Sequence, residues 1–426
     1  MATTSTDRIL SLDIIRGIAV MGIFSVNVVG MAMIEQAYFY PPAYGFDGLG
    51  DRIMWAANFL VVDGRFRSML CLQFGPSMVL VIERAVAAGK DGWKVHYARM
   101  IVLLLFGLAH FYLLWWGDIL ANYALVGMGA FVFWRLPPRW LLLASAAALA
   151  LMYVPNVYGG LHDMAELEAK AAPTATAEER AAFEHKLAGL HPTPQELAEE
   201  KAAHASIGAH AASTIENQPW RPFRSVPGFG LETLGLMLLG MAGYRSGFLT
   251  GGWSRRRYAG IAAVLVGLNL AIYGLATYQI LRDDFAPFTY FPWDQIYVSA
   301  LHPFAAIGYC ALILAVIRPG AVADRFAAVG RAAFTNYLGS TLIGTVLFYG
   351  FGFGLYGKLS RGQAWLVVPV VWAVMLLWSK WWLDRFRYGP FEWAWRCLAR
   401  WRWEPMRKPR SSPSRSDGEV ADAAGG

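Results

Sequence analysis

The sequence predicts an all-α, polytopic membrane protein of about ten transmembrane helices, with one acidic, partly helical loop outside the membrane. Of the 426 residues, 56% are hydrophobic and only 16% are charged, whereas soluble domains carry about 25% charged residues. Long apolar stretches recur along the chain, as membrane-spanning helices require. These stretches are continuously apolar and do not alternate with polar residues, which favours helices over a closed barrel.

Ten segments have the pattern of a spanning helix, five before and five after a long polar insertion. We predict the spans at about 14–34, 66–88, 99–116, 119–134, 140–158, 229–247, 258–281, 293–317, 333–352 and 364–384. The first run contains Asp13 and Arg16, and no small-residue cleavage site follows it. We therefore interpret it as a retained first helix and not as a signal peptide. The two membrane halves are residues 1–158 and 229–404.

The insertion, residues 159–228, is the one sizeable polar segment between the two halves. The stretches PTATAEERAAFEHKLAGL and PTPQELAEEKAAHASIGAHAAS predict helices, because Thr and Pro stand at their starts. Acidic residues outnumber basic residues here, and we predict a polar helical cap outside the membrane. Five of the eight histidines lie in this segment: His162, His185, His191, His204 and His210. We interpret them as solvent-facing in preference to a metal site, and we predict no metal.

Basic residues predict the orientation of the chain. With the N-terminus in the cytoplasm, most of the 37 Lys and Arg residues fall in cytoplasmic segments. Both termini are therefore expected inside. The tail, residues 405–426, is rich in Pro, Ser and Arg and is predicted to be disordered. This distribution accounts for the net charge of +7, so we predict membrane lipid as a partner and no nucleic acid.

Strongly polar side chains within a span are costly and therefore mark candidate sites. Counted at about 1.5 Å per residue from the outer ends of their helices, Asn27, His110 and His302 lie roughly 9–12 Å deep. Three polar side chains at one depth, from three helices, predict a buried polar pocket. The alternative is that each residue bridges two helices by a hydrogen bond.

A second group of polar residues is predicted at the outer mouth. Arg65 and Arg67 stand at the outer end of the second span, where the alternative is exposure to headgroups. Asp118 and Asn122 share a helix face by their spacing, although Asp118 can instead cap the following helix. Glu232 enters its span near the same level. We assign all five to the recognition of a polar acceptor.

At the inner face, Asp13 and Arg16 are three residues apart and are predicted to pair on one helix. The alternative for Arg16 is a phosphate of a cytoplasmic donor, which a guanidinium group binds in a fork.

Five motifs resemble those of YeiB-like inner-membrane proteins, whose C-terminal part defines domain of unknown function 418. They are RILSLDIIRGIAVMGIFSVN, RMIVLLLFGLAHFYLLWWGDILANYAL, VGRAAFTNYLGST, FYGFGFGLYG and YGPFEWAWR. The resemblance covers about 8–158 and 229–403, and it excludes the acidic insertion and the tail. It implies a location in the bacterial inner membrane. It also implies membership of a wider set of transmembrane acyltransferases, which includes the lysosomal heparan-α-glucosaminide N-acetyltransferase and bacterial sugar O-acyltransferases.

Such enzymes move an acyl group from cytoplasmic acyl-CoA to a hydroxyl or amine across the bilayer. The resemblance therefore implies acetyl-CoA as co-substrate and a small-molecule or glycan acceptor. Arg16 and Asn27 match an Arg and an Asn of the lysosomal enzyme, eleven positions apart. Where that enzyme has its catalytic His, eleven positions further on, this chain has Tyr38, which we assign to the acceptor side.

Because Tyr38 replaces that histidine, either another residue is the general base or this branch is not an acyltransferase. We expect His110 to serve, with His302 as the second choice, and Asn27 to hold the acyl carbonyl or the developing oxyanion. Four arginines of the inner face would bind the CoA phosphates: Arg16, Arg99, Arg245 and Arg331.

Two other hypotheses stay open. A transporter or permease for a small polar solute would line its path with the same polar residues. A non-catalytic membrane module would use its acidic loop to bind an envelope partner. An acyltransferase predicts a cytoplasm-open cavity with arginines at its mouth, a permease predicts a midplane pocket without that mouth, and a module predicts a filled core. Gly235 and Gly240 are suited to helix contacts within one chain or in a homodimer.

Overall fold

The computed structural model describes residues 9–408. Within that range the secondary structure is helical, with one isolated antiparallel bridge between Phe386 and Arg407 and no β-strand. Eight helical segments are long and apolar enough to cross a membrane. The predicted all-α, polytopic fold class is confirmed. Most of the predicted tail, from residue 409 onward, lies outside the described residues.

Nineteen α-helices form the described chain, and we number them in order. The first half contains α1 Leu10–Ala32, α2 Glu35–Phe39, α3 Leu49–Val61, α4 Arg65–Ala87, α5 Gly92–Leu113, α6 Leu120–Ala130 and α7 Pro138–Ala171. The polar insertion contains α8 Ala177–Ala188, α9 Pro194–Ala203 and α10 Ile207–Asn217. The second half contains α11 Arg221–Arg245, α12 Arg255–Arg282, α13 Pro287–Phe291, α14 His302–Val316, α15 Ala321–Arg331, α16 Ala333–Phe348, α17 Arg361–Trp365, α18 Val367–Arg385 and α19 Pro390–Arg400.

Eight of the ten predicted spans coincide with the eight long apolar segments. The other two, 119–134 and 333–352, correspond to α6 and α16, which have 11 and 16 residues. At 1.5 Å per residue, α16 is about 24 Å long and falls short of a hydrocarbon core of about 30 Å. Most residues of both helices are buried by other helices, so neither needs the length that lipid contact would impose.

Helix α1 runs through the centre of the bundle, and most of its residues are buried. It crosses α15 with the two backbones in contact. A Cβ atom on Gly17 would lie 2.1 Å from the Phe326 carbonyl oxygen, and one on Gly330 would lie 1.8 Å from the Asp13 carbonyl oxygen. Small residues allow such close approach between membrane helices. This crossing fixes α1 relative to the second half of the chain.

A sharp turn between α3 and α4 places Asp63 inside the bundle. Gly64 has a φ of +68°, a conformation that L side chains rarely adopt. A Cβ atom there would also lie 2.0 Å from Nε2 of His302. Both facts require glycine at this position. The turn, residues 62–64, is referred to below as the hinge.

The helices on both sides of the polar insertion extend into it. Helix α7 continues beyond position 158 to Ala171, and α11 begins at Arg221 with a kink at Phe229. The remaining segment, residues 172–220, is called the cap. Its predicted helix starts are confirmed: Thr176 and Thr193 accept hydrogen bonds from backbone N–H groups three residues on, each at 3.2 Å.

The cap is attached to the membrane helices around α2. The Glu200 carboxylate accepts hydrogen bonds from the backbone N–H of Glu35 at 2.9 Å and from the hydroxyl of Tyr356 at 2.8 Å. The backbone N–H of Gly350 donates to the carbonyl of His204 at 2.9 Å. Arg221, which follows the cap, pairs with Glu35 at 2.7 Å. The cap is therefore held by polar contacts with both membrane halves.

Two of the five histidines of the predicted insertion are buried, contrary to the prediction that all face solvent. His204 is 6% exposed and His210 is 3% exposed. The His204 ring stacks on Tyr356 with the ring centroids 4.1 Å apart, and its Nδ1–H donates to the Glu200 carbonyl at 2.7 Å. Burial lowers the pKa of both histidines, that of His210 to about 4. The sequence pattern missed this because both lie where α9 and α10 meet the loop after α16.

We expect the cap to detach as the pH falls from about 6.5 toward 4. An unfolded histidine titrates near 6.5, so the detached cap binds more protons across this interval and docking is fully stable only above it. The loss is on the order of 1–3 kcal/mol. Limited proteolysis of the cap at pH 7.5 and pH 5 measures it. His204→Gln with His210→Gln should remove the pH dependence, whereas exposed His185→Gln should keep it. Equal proteolysis of the wild type at both pH values would contradict this prediction.

Candidate functional site

Two cavities lie at opposite ends of α1. The larger, of about 520 Å³, is on the side where the cap attaches and is lined by Asn27. The smaller, of about 300 Å³, is lined by Arg16. Eleven residues separate these two side chains, which is roughly 16 Å along the helix. We call the first the cap-side cavity and the second the arginine cavity.

Aromatic side chains form much of the wall of the cap-side cavity. They are Tyr38, Phe39, Phe66, Phe111, Trp115, Trp116, Phe229 and Tyr337. The Trp115 indole N–H donates to the Gly30 carbonyl at 2.9 Å and is fixed by that bond. The Arg221 guanidinium lies over the Trp116 ring, 4.8 Å from its centroid. Flat, fixed rings of this kind bind apolar faces of ligands with little loss of side-chain entropy.

Three polar side chains reach this cavity from α1, α2 and the hinge. Among the described residues, the Asn27 amide and the Tyr38 hydroxyl have no hydrogen-bond partner, although both line the cavity. Asp63 also lines it and makes no ion pair within 4 Å in the described chain. Asp63 and Tyr38 extend further, into an adjoining pocket of about 50 Å³ that Arg361 also lines. These three groups are therefore available to a ligand.

His110 is close to this cavity but does not line it. Its Nδ1 is 2.9 Å from Asp118 Oδ1 and its Nε2 is 3.0 Å from Thr341 Oγ1. Both ring nitrogens are therefore occupied, and the side chain is 1% exposed. Asp118 lines the cavity, and its second oxygen accepts a hydrogen bond from the Ala121 backbone at 2.8 Å. This is the helix cap predicted as one alternative for Asp118.

His302 and Arg65 lie behind the hinge. The His302 ring packs against Gly64, which separates it from the cap-side cavity. Arg65 is fully buried, donates to the Phe59 carbonyl at 2.7 Å and lies 3.5 Å above the Tyr273 ring. Of the three side chains predicted to share one polar pocket, Asn27, His110 and His302, only Asn27 lines the cavity. Depth along a helix does not fix the direction of a side chain around its axis.

The other predicted acceptor residues support the wall of the cavity. Arg67 lines it and donates to both Glu232 oxygens, at 2.9 and 3.1 Å. Glu232 is 4% exposed and also accepts from the Tyr153 hydroxyl at 3.0 Å, so it neutralises Arg67 from behind. Asn122 is buried and bonds Ser225.

The arginine cavity contains three of the four arginines that the sequence assigned to the donor. Arg16 donates to Ser77 at 2.6 Å and makes the predicted pair with Asp13 at 3.4 Å. Arg99 lies over the Trp395 ring, 4.0 Å from its centroid. In the described part of the chain, five arginines line the cavity: Arg16, Arg84, Arg99, Arg331 and Arg396. Five guanidinium groups around one cavity suit a ligand with several phosphates.

Arg245 is the exception among the four. It donates to the carbonyls of Trp134 and Leu136 at 2.5 and 3.3 Å and pairs with Glu83 at 3.4 Å. It does not line the arginine cavity. It lies at the end of α11, where these contacts hold it against the segment that follows α6.

Tyr337 lies between the two cavities and is the one described residue that lines both. Its hydroxyl is 3.5 Å from the Gly117 carbonyl oxygen, and its ring centroid is 5.3 Å from that of His110. The side chain is buried in the core of the bundle. A single aromatic ring therefore forms part of the barrier between the two ends of the bundle.

Asp63, Trp116 and Tyr337 are site residues that the sequence pattern did not predict. For Asp63 and Tyr337 the sequence does contain a signal. Asp63 precedes a glycine between two apolar runs, and Tyr337 lies in the polar TNY triplet of an otherwise apolar segment. Trp116 gave no such signal, because tryptophans at helix ends commonly face the membrane interface.

The fold and the two cavities define a polytopic helical membrane protein with a separate ligand-sized cavity at each end of its central helix. A family model described as "Protein of unknown function (DUF418)" matches residues 243–402. The uncharacterized protein YeiB of Escherichia coli (strain K12) is 30% identical over 92% of this chain and 96% of the relative. The uncharacterized protein YxaH of Bacillus subtilis (strain 168) is 29% identical over 95% and 98%. The chain belongs to the YeiB-like family of DUF418 proteins. No solved structure matches it significantly.

Proposed function

We propose that the protein is a transmembrane acyltransferase. It takes an acyl group, expected to be acetyl, from acyl-CoA in the arginine cavity and transfers it to an acceptor in the cap-side cavity. The observation that carries the proposal is the position of Tyr337, which lines both cavities. A thioester on one side of this ring and a nucleophile on the other need to cross only a short distance to react.

The arginine cavity suits the donor. CoA carries phosphate groups, which guanidinium groups bind in fork geometry. Much of the remaining wall is apolar and suits a pantetheine arm: Leu70, Leu80, Leu103 and Leu120, with Phe74. With this cavity facing the cytoplasm, both termini are inside and the cap is outside. The distribution of basic residues supports the same orientation.

The cap-side cavity suits the acceptor. Its volume of about 520 Å³ lies within the range of small-molecule sites, about 300–1,000 Å³. Aromatic walls with a few polar groups fit a sugar-like or other small polar molecule. The Asn27 amide, which has no partner among the described residues, can donate a hydrogen bond to an oxyanion.

A permease for a small polar solute is the second candidate. Two cavities on either side of an aromatic barrier are also expected of a transporter that opens to each side in turn. The five arginines favour the acyltransferase, because a neutral solute gives no reason to gather guanidinium groups at one end. Cavities of this size do not favour a non-catalytic module with a filled core.

Binding of radiolabelled acetyl-CoA to the purified protein in nanodiscs tests the proposal. We expect saturable binding, competed by CoA, and slow release of free CoA. Arg99→Ala should weaken binding about tenfold or more, because a charge-assisted bond to phosphate contributes about 1.5–3 kcal/mol. Exposed Arg256→Ala, outside the arginine cavity, is the matched control and should bind as the wild type does.

Absence of acetyl-CoA binding by the wild type would refute the acyltransferase. Equal loss in Arg99→Ala and Arg256→Ala would show that binding is not in the arginine cavity. Uptake of a polar solute into sealed vesicles without acyl-CoA would favour the permease instead.

A further inference from the structure

We propose that Asp63 is the general base of the transfer and that the acceptor group it activates is a hydroxyl. This inference rests on the proposed function. It follows from the groups that actually face the cap-side cavity. Within residues 9–408, no imidazole lines that cavity, and the two carboxylates that line it belong to Asp63 and Asp118.

Asp118 is not available as a base. One of its oxygens is 2.9 Å from His110 Nδ1, and the other accepts from the Ala121 backbone at 2.8 Å. Its side chain is 1% exposed. A proton taken up by Asp118 would break one of these bonds. Asp118 therefore orients His110 and the start of α6, and it does not contact the reacting atoms.

Asp63 is both accessible and held in place. It lines the cap-side cavity and makes no ion pair within 4 Å in the described chain. Its backbone N–H donates to the Asn58 carbonyl at 2.9 Å, and its own carbonyl accepts from the Arg65 backbone at 2.7 Å. Gly64 adopts the positive φ that makes this turn possible. The hinge therefore presents a fixed carboxylate to the cavity, as a general base requires.

The small pocket beside Asp63 has room for water that can accept the proton from the Asp63 carboxyl group. It has a volume of about 50 Å³ and is lined by Asp63, Tyr38, Asn58, Tyr290 and Arg361, among others. Such a volume holds at least one water molecule, since a water needs about 10–15 Å³. Nε of Arg361 is buried there without a hydrogen-bond partner in the described chain, so a water at this place would also satisfy that donor.

The proposed step balances as an ordinary acyl transfer. The acceptor oxygen attacks the thioester carbonyl carbon while Asp63 takes the hydroxyl proton, so a C–O bond forms. The tetrahedral intermediate collapses with loss of the C–S bond. The CoA thiolate takes a proton from solvent in the arginine cavity, and Asp63 releases its proton to solvent in the cap-side cavity. The products are an ester and free CoA.

A hydroxyl suits this base better than an amine. An amine at neutral pH is an ammonium ion, and a neighbouring carboxylate stabilises that charged form, which has no lone pair to attack with. A hydroxyl is neutral, carries its nucleophilic lone pairs and needs to lose one proton only. The aromatic walls provided by Phe39, Trp115 and Trp116 are suited to the apolar faces of a sugar ring. We therefore infer a carbohydrate-like hydroxyl acceptor.

The test compares Asp63→Asn with Asp63→Glu and with Asp47→Asn, an exposed control on the same side of the protein. Total deacetylation of acetyl-CoA is measured with water alone, with methyl β-glucoside and with glucosamine. We expect Asp63→Asn to lower kcat about 100-fold or more with acetyl-CoA binding unchanged. Asp63→Glu should restore part of the rate, and Asp47→Asn should match the wild type.

A pH profile separates catalysis from structure. The wild-type rate should fall as the pH drops and the Asp63 carboxylate is protonated. The residual rate of Asp63→Asn should not show this decrease at low pH. If the wild type binds and turns over acetyl-CoA and Asp63→Asn is equally active, Asp63 is not the general base, whereas the proposed acyltransferase activity is unaffected. Faster transfer to the amine of glucosamine than to methyl β-glucoside would overturn the hydroxyl assignment. A wild type that does not bind acetyl-CoA would overturn the proposed function itself.

Discussion

Replacing Tyr337 with alanine is expected to connect the two cavities and to uncouple acetyl-CoA cleavage from acetyl transfer. Tyr337 is the one described residue that lines both cavities, and alanine would remove the part of the barrier that its ring forms. Water from the cap-side cavity would then reach the thioester. We expect hydrolysis of acetyl-CoA to rise on the order of tenfold and transfer to a hydroxyl probe to fall, because a closed site suppresses such side reactions. Thiol release and transfer of labelled acetyl measure the two rates.

Tyr337→Phe is the matched control, because it keeps the ring and loses only the hydroxyl. That hydroxyl is 3.5 Å from the Gly117 carbonyl oxygen, which is a weak bond at best. We expect near wild-type coupling in this variant. Hydrolysis that stays at the wild-type rate in a folded Tyr337→Ala protein would show that the ring is not the barrier. If Tyr337→Phe alone abolished transfer, the hydroxyl would have a chemical role beyond that of a wall.

The fold could be predicted because the membrane imposes a strong and local rule on the sequence. Long apolar runs must be helices, and eight of ten predicted spans correspond to helices long enough to cross. The other two predicted spans are also helices, but they have only 11 and 16 residues. Helix α16 is apolar along most of its length, but it is buried among other helices. Only part of its surface is exposed, at residues such as Leu342 and Val346. Hydropathy alone does not distinguish burial by other helices from contact with lipid.

The candidate site could be predicted only in part, because position along a helix is easier to read than direction around it. Of the four arginines assigned to the inner face, Arg16, Arg99 and Arg331 line one cavity, whereas Arg245 does not. Asn27 faces the cap-side cavity. His110, at a similar depth, turns its ring toward Asp118 and Thr341. Helix rotation is set by packing between segments far apart in sequence, such as the contact of α1 with α15.

Removal of the Glu232 carboxylate is expected to cause the largest loss of stability among the charged groups considered. Glu232 is 4% exposed and accepts two bonds from Arg67, at 2.9 and 3.1 Å. The hydroxyl of Tyr153 donates a third, at 3.0 Å. Glu232→Ala leaves the Arg67 charge without its carboxylate partner and without two of the hydrogen bonds that hold it in place. Because Glu232 is buried but the Arg67 side chain is 33% exposed, the cost is below that of a fully buried pair, on the order of 1–3 kcal/mol. Thermal unfolding of the protein in detergent would detect this as a fall in Tm.

The exposed pair of Lys380 with Asp384, at 2.7 Å, provides the comparison. Asp384→Ala should cost less than about 1 kcal/mol, since solvent-exposed ion pairs contribute little. The double variant Glu232→Leu with Arg67→Met removes both charges and should recover much of the stability lost in Glu232→Ala. Equal stability of Glu232→Ala and Asp384→Ala would contradict this account. Arg67 lines the cap-side cavity. A double variant that is stable but inactive would therefore indicate that the guanidinium group acts on the acceptor. The role of Glu232 would then be mainly to keep Arg67 charged and in position.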